Sequence, residues 1–131
     1  MITKLTDIGF KKVGRWILEN NTPKVELFAE AESTNILYCF VVDGEPKYIG
    51  KTTQKLKKRM YGYSKPGPTQ STNIRNNESL KSALMLGSVV DLFALPDHGL
   101  LHFGTFHINL AAGLEDSIVS SLKPEWNAVG K

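Results

Sequence analysis

Tyr38 ends the segment Ile36-Leu37-Tyr38 and Tyr48 begins Tyr48-Ile49-Gly50; Lys51-Thr52 follow, and Arg59 stands nine residues after Gly50. A tight hairpin between the two segments sets the phenols side by side, and a helix after the second can bring the guanidinium back over them. Such a set suits phosphodiester hydrolysis, which needs an activated water, neutralisation of charge on the phosphoryl oxygens and help for the departing alkoxide. A phenol ionises near pH 10 and serves as a base only where cationic neighbours favour its charged form. Arg59, with Lys51 nearby, is the expected source of that bias, and a planar guanidinium also matches two phosphate oxygens.

Glu115 follows Ala111-Ala112-Gly113, small residues that leave room for backbone or ligand at the start of a helix. One carboxylate there can hold a hard divalent ion whose shell is completed by water and phosphate oxygen. Asp116 points about 100° away on the same helix, so Glu115 stands as the single metal ligand. Each residue alone has a plainer reading. Hairpin tyrosines usually just pack, a helical arginine is usually solvated, and a glutamate near a helix start complements the dipole. Asn127 alone would cap the chain end, with Trp126 anchoring that end in the core. His98, His102 and His107 lack the compact spacing of a zinc site. Gly50-Lys51-Thr52 lacks the earlier glycine of a phosphate loop, which excludes nucleotide binding there.

The elements that must position these groups are legible in outline. Residues 36–42 are rich in Ile, Leu, Tyr, Phe and Val, as a buried strand should be, and Asp43-Gly44-Glu45-Pro46 is turn chemistry before the partner strand. Thr52 or Thr53 can cap a helix carrying Leu56, Arg59 and Met60 that stops near Gly62. Residues 64–77, with Pro66-Gly67-Pro68 and many Ser, Thr and Asn, read as a long polar loop. A second helix is predicted over 78–86, ending at Gly87, and a third core strand over Val89 to Leu95. Pro96-Asp97-His98-Gly99 interrupts it before more extended chain from Leu100 to Phe106. A last helix over 110–122 carries Leu114, Ile118, Val119 and Leu122 on one face and stops at Lys123-Pro124. Ahead of all this, Phe10, Val13, Trp16 and Leu18, then Val25, Leu27 and Phe28, form a peripheral β-hairpin around 19–23. Gly14 disfavours the rival helix there.

With 131 residues, 41% apolar and 22% charged, the chain is expected to be one soluble domain with one modest core. No apolar run approaches the roughly 20 residues of a membrane span, and no signal-peptide stretch is visible, so the expected location is the cytoplasm and no membrane partner is expected. Cys39, the lone cysteine, lies among Tyr38, Phe40 and Val41 and is expected to be structural. The net charge of +3 is weak, but Lys47, Lys51, Lys55, Lys57, Lys58, Arg59 and Lys65 crowd into nineteen residues. That cluster either concentrates positive potential at one site or is a solvated helix face. Lys57, Lys58, Lys65 and Arg75 suit phosphate contact, which gives affinity without sequence readout.

From Ile36 to Asn127 the chain resembles the GIY-YIG endonucleases. Ile36-Leu37-Tyr38 departs from the first signature's glycine but keeps its tyrosine, while Tyr48-Ile49-Gly50 matches the second in full. Lys51-Thr52, Leu56 and Arg59, then Glu115 in Gly113-Leu114-Glu115, then Asn127 in Pro124-Glu125-Trp126-Asn127, follow in the family's order. The resemblance implies an α/β (α+β) fold, a central three-stranded antiparallel sheet flanked by helices. Residues 34–131 would form the catalytic core and 1–33 an N-terminal hairpin extension of a single domain. It further implies Mg²⁺-dependent cleavage of double-stranded DNA, with Mn²⁺ as a substitute, to 5′-phosphate and 3′-hydroxyl ends. Tyr38 would be the base, Tyr48 would support water or phosphate, Arg59 would stabilise the phosphoryl group, Glu115 would bind the metal and Asn127 would brace the array. Tyr63 stands where many members have a histidine, and Lys81 resembles a basic residue that some bring into the site.

The long loop and the stretch around Lys81 are similar to the small phage endonuclease II branch and to some restriction enzymes, which work as oligomers. That likeness implies a restriction or phage-type role in degrading foreign DNA and a dimer or tetramer. Repair and homing relatives commonly add a targeting module, which is not seen here, so repair is the lesser alternative. The rival from another class is a catalytically idle DNA-binding module of the same fold, which would not need Glu115.

Overall fold

The computed structural model describes residues 2–127. A short helix α1 (Thr3–Thr6) precedes a hairpin of β1 (Lys11–Glu19) and β2 (Thr22–Leu27). The central hairpin is β3 (Ile36–Val42) and β4 (Glu45–Thr52), followed by α2 (Leu56–Ser64), α3 (Ser71–Met85) and β5 (Val90–Pro96). A small ribbon of β6 (His102–Phe103) and β7 (Phe106–His107) leads into α4 (Leu110–Leu122).

The expected three-stranded sheet is present as β5-β3-β4, but it is not the whole sheet. The β1–β2 hairpin is not peripheral: β1 pairs antiparallel with β5 and extends the sheet to five strands in the order β2-β1-β5-β3-β4. The reason is burial, since Val13 and Trp16 of β1 are 2% and 1% exposed within the core.

Strand β3 is buried at every position, and its alternation divides the core. Ile36, Tyr38, Phe40 and Val42 pack with Leu56, Met60 and Tyr63 of α2 and with Leu80 and Ala83 of α3. Leu37, Cys39 and Val41 face the other way, with Leu5 of α1 and with Ala111 and Ile118 of α4. The sheet is thus covered on both faces, as an all-apolar strand requires. Cys39 is fully buried, as expected of a structural residue. At the β3–β4 turn Asp43 and Gly44 both take positive φ, 49° and 85°, the requirement of a two-residue hairpin turn whose twist matches its strands.

Three expected boundaries shift. Helix α2 begins at Leu56 without a threonine cap. Thr52 Oγ1 instead accepts from Gln54 N at 3.0 Å, and the first helical N–H groups, of Leu56 and Lys57, donate to the carbonyls of Ser33 and Ala31. These carbonyls satisfy the orphan donors from a distant segment, which no local pattern reveals. The helix also continues past Gly62 to Ser64, so Tyr63 lies one turn beyond Arg59.

The long loop is much shorter than expected, because α3 starts at Ser71. Its buried face is Asn73, Asn76, Leu80 and Ala83, a helical spacing whose first half is asparagine and so escapes a search for apolar periodicity. Lastly, the extended chain around Leu100 to Phe106 is a two-stranded ribbon separate from the main sheet. Helix α4 spans the expected residues, with Asn109 capping it through Ala112 N at 3.1 Å. Among the described residues no helix is long and apolar enough to cross a membrane.

Candidate active site

A cleft of about 490 Å³ opens where the end of edge strand β4 meets α2 and α4. Tyr38, Tyr48, Gly50, Lys51, Arg59 and Glu115 line it, with Asn35, Thr52, Thr53, Gln54 and Asn109 completing the wall. Residues separated by 77 positions, Tyr38 and Glu115, therefore share one hollow with Tyr48 and Arg59.

The inner wall is a fixed stack. Tyr38 on β3 is directly opposite Gly50 on β4, and its ring lies across that glycine. A Cβ at Gly50 would stand 2.6 Å from both Cζ and Oη of Tyr38, so only glycine admits the ring in this position. The Tyr38 hydroxyl is 2.6 Å from that of Tyr63, which in turn accepts from Arg59 Nη2 at 2.8 Å. Arg59 also stacks 4.3 Å over the Tyr63 ring and donates through Nη1 to Asn73 Oδ1 at 3.0 Å. Tyr63, fully buried, sits behind the cleft and links its base candidate to its cation.

Burial is the largest influence on both phenols and pushes each far above the ordinary tyrosine range. For Tyr38 the Arg59 guanidinium opposes burial but does not overcome it, and for Tyr63 the neighbouring Tyr38 adds to the rise. The cationic bias expected from the sequence is therefore outweighed: Tyr38 is a neutral phenol in the free protein at neutral pH. Arg59 is pulled down by burial, yet the phenol oxygens of Tyr38 and Tyr63 prevail and raise it, so it stays charged.

The outer wall is open. Lys51 Nζ lies 2.9 Å from Glu115 Oε1, with side chains 46% and 27% exposed. Lys51 is thus bound to the carboxylate, and Arg59 is the cation that opposes burial at Tyr38. Among the described residues no group of three or more His, Cys, Asp or Glu is arranged to hold a metal. Glu115 is the single carboxylate on the cleft wall. A hard cation that keeps most of its waters fits such a lone carboxylate on an open wall.

Asn127 is not in the cleft. Its Oδ1 accepts from Ile49 N and its Nδ2 donates to Ile49 O, both at 2.9 Å, while Trp126 N donates to Lys47 O at 2.8 Å. Trp126 and Asn127 thereby pair with the free edge of β4 and hold the strand that carries Tyr48 and Gly50. Lys81 is also elsewhere: it lines a separate hollow with Lys65, Asn77 and the tip of the β1–β2 hairpin. The earlier start of α3 moves Lys81 from the helix's beginning to its third turn. Lys57 pairs with Glu32 at 2.6 Å, Lys58 is exposed on α2, and Arg75 lines a hollow with Trp126 and Glu125.

The sequence did not reveal Asn35, Asn73, Asp97 and Asn109. Asp97, its side chain 3% exposed, accepts from Leu110 N, Gly99 N and Asn35 Nδ2 at 2.8, 2.8 and 3.2 Å. It ties two cleft segments and the start of the Glu115 helix together. The Gly99 N–H, and after it the Leu110 N–H and His107, hold its carboxyl below the usual range despite burial. Asp97 follows a proline at a strand end, a turn signal that carries no hint of this role.

No family model and no curated protein matches the chain. Among solved structures it is similar to a mutant of bacteriophage T4 EndoII, with TM-score 0.76 and 23% identity over 98% of each chain. It is also similar to restriction endonuclease HPY188I in complex with product DNA, with TM-score 0.53 and 18% identity over 92% of this chain and 83% of that one. The chain therefore has the fold of these two nucleases along nearly its whole length.

Proposed function

We propose that this chain is a GIY-YIG-type endonuclease that hydrolyses double-stranded DNA with Mg²⁺, for which Mn²⁺ can substitute, in restriction or phage-type degradation of foreign DNA. The observation that carries the reading is the meeting of Tyr38, Tyr48, Arg59 and Glu115 on one cleft. Two likenesses support it, the shared fold and the product DNA held by the restriction enzyme. Mere binding would not need Glu115 opposite the tyrosines, which disfavours an idle module.

In this mechanism a water oxygen forms a bond to phosphorus while the bond from phosphorus to the 3′ oxygen breaks and that oxygen takes a proton from solvent, leaving 5′-phosphate and 3′-hydroxyl ends. Tyr38 takes the water's proton once its own has been lost, and Tyr48 holds the water or a phosphate oxygen. Arg59, fixed by Asn73 and Tyr63, offers its charge to the phosphoryl oxygens where it grows in the transition state. Glu115 would hold the cation, which would supply Lewis acidity to the reacting phosphodiester. For that, Lys51 must leave Glu115, and a phosphate is its natural new partner. Lys58, Lys65, Arg75 and Lys81 would contact phosphates beyond the cleft, and Lys57 would do so after release from Glu32. The active assembly is a dimer or tetramer, so that both strands can be cut.

The test is supercoiled plasmid incubated with the protein and Mg²⁺ or EDTA, followed by mapping of the ends. Cleavage only with the metal, lost in Glu115→Ala, with 5′-phosphate ends, is the expected result. Binding without cleavage in any divalent metal would establish the idle module instead.

A further inference from the structure

The ribbon of β6 and β7 carries an apolar face that the described residues leave largely uncovered. Phe103 pairs with Phe106, and Leu101 lies opposite Ile108, whose N–H donates to the Leu101 carbonyl at 2.8 Å. Strand alternation places these four side chains on one face, where they are 46% (Leu101), 80% (Phe103), 75% (Phe106) and 44% (Ile108) exposed. The other face holds His102 and His107, and His107 is anchored at 3.2 Å to Asp97. The ribbon is thus pinned by its polar face and bare on its apolar one.

We propose that this face seats a second copy of the chain, packed ribbon against ribbon about a two-fold axis. Residues 98–114 contain no Asp, Glu, Lys or Arg, in a chain 22% charged. A surface that meets DNA carries cations, whereas the centre of a protein interface is depleted of charge and enriched in aromatics. The two rings alone leave roughly 300 Å² bare, at about 200 Å² per phenylalanine. With Leu101 and Ile108, about half exposed, the face matches the largest apolar patches of a monomer and suits the core of a stable interface, which buries ~800 Å² per partner. A two-fold axis makes such a face its own complement. Asp97 then links the interface to Asn35 and to the first turn of the Glu115 helix, both at the cleft. This gives the assembly a surface, and it rests on the endonuclease reading only for the consequence that two clefts serve two strands.

The experiment is light scattering and sedimentation of the full chain without DNA, over about 1 to 100 μM, the range in which an interface of this size associates. The wild-type protein is expected at twice the 14.5 kDa of one chain or a higher even multiple, and Phe103→Ser/Phe106→Ser with half the wild-type number of chains. The milder Phe103→Ser should weaken association at least tenfold, with both variants melting as the wild type does. Leu86→Ser, at a residue 85% exposed away from the ribbon, should leave the mass unchanged.

A wild-type protein at single-chain mass throughout, or full association of Phe103→Ser/Phe106→Ser, overturns the proposal. So does a variant of unchanged mass that loses DNA affinity, since the face would then meet DNA. Because mass is read without DNA, an associating protein that cuts nothing keeps the interface and removes the nuclease reading.

Discussion

Tyr38 on the inner wall of the cleft and Tyr63 behind it are 1% and 0% exposed, whereas the Lys51 and Glu115 side chains on the outer wall are 46% and 27% exposed. The inner groups are fixed by neighbours that cannot move without opening the core: a ring over Gly50, a hydroxyl pair, and a guanidinium held by Asn73. The outer pair is a surface ion bridge, worth about 1 kcal/mol or less, and so free to exchange its partners for metal and phosphate. One wall supplies orientation and the other supplies exchange. The proposed reaction, which recruits an ion and a polyanion yet presents its attacking groups at fixed distances, needs both.

The largest effect is expected on the inner wall. Arg59→Lys keeps the charge but loses the fork that joins Tyr63 to Asn73, and DNA cleavage should fall about 10²- to 10³-fold in single-turnover assays. Retention of activity by this variant would mean that charge alone suffices. Gly50→Ala should destabilise the protein by about 1–3 kcal/mol in chemical denaturation, because the Tyr38 ring must move aside. Wild-type stability there would show the ring to be loosely held.

The raised Tyr38 and Tyr63 phenols give a pH signature. With the base still protonated through the neutral range, the cleavage rate should climb about tenfold per pH unit and reach no plateau below about pH 9. Both phenols ionise less readily folded than unfolded, so their contribution to stability is fully present below about pH 10 and is lost as pH rises toward the folded values. Alkaline denaturation followed by tyrosinate absorbance checks that sign. The smallest effect belongs to the outer wall: Lys51→Ala should change the cleavage rate less than tenfold, lower the Mg²⁺ concentration needed, and leave stability within about 1 kcal/mol.

The sequence disclosed the parts of the site whose chemistry is local. Tyr38, Tyr48, Gly50, Arg59 and Glu115 lie on short patterns with strong residue preferences, and helix 110–122 shows its apolar spacing openly. What it concealed was carried by distant backbone or by asparagine. The start of α2 is satisfied by Ala31 and Ser33 carbonyls, the first half of α3 buries Asn73 and Asn76 where Leu would have been legible, and Asp97 works through backbone N–H groups. The β1–β2 hairpin was seen as strands but not as part of the main sheet, because pairing with β5 depends on contacts some 75 residues apart. Lys81 was misplaced for a related reason, since an error of two turns in a helix start moves every later side chain along its axis.

The most direct measurement is single-turnover cleavage of duplex DNA with Mg²⁺ by wild type and Tyr38→Phe, with DNA affinity determined alongside. The proposed mechanism predicts unchanged affinity and a loss of at least about 10²-fold in the cleavage rate, the size of a missing base. Cleavage by Tyr38→Phe at the wild-type rate would contradict it.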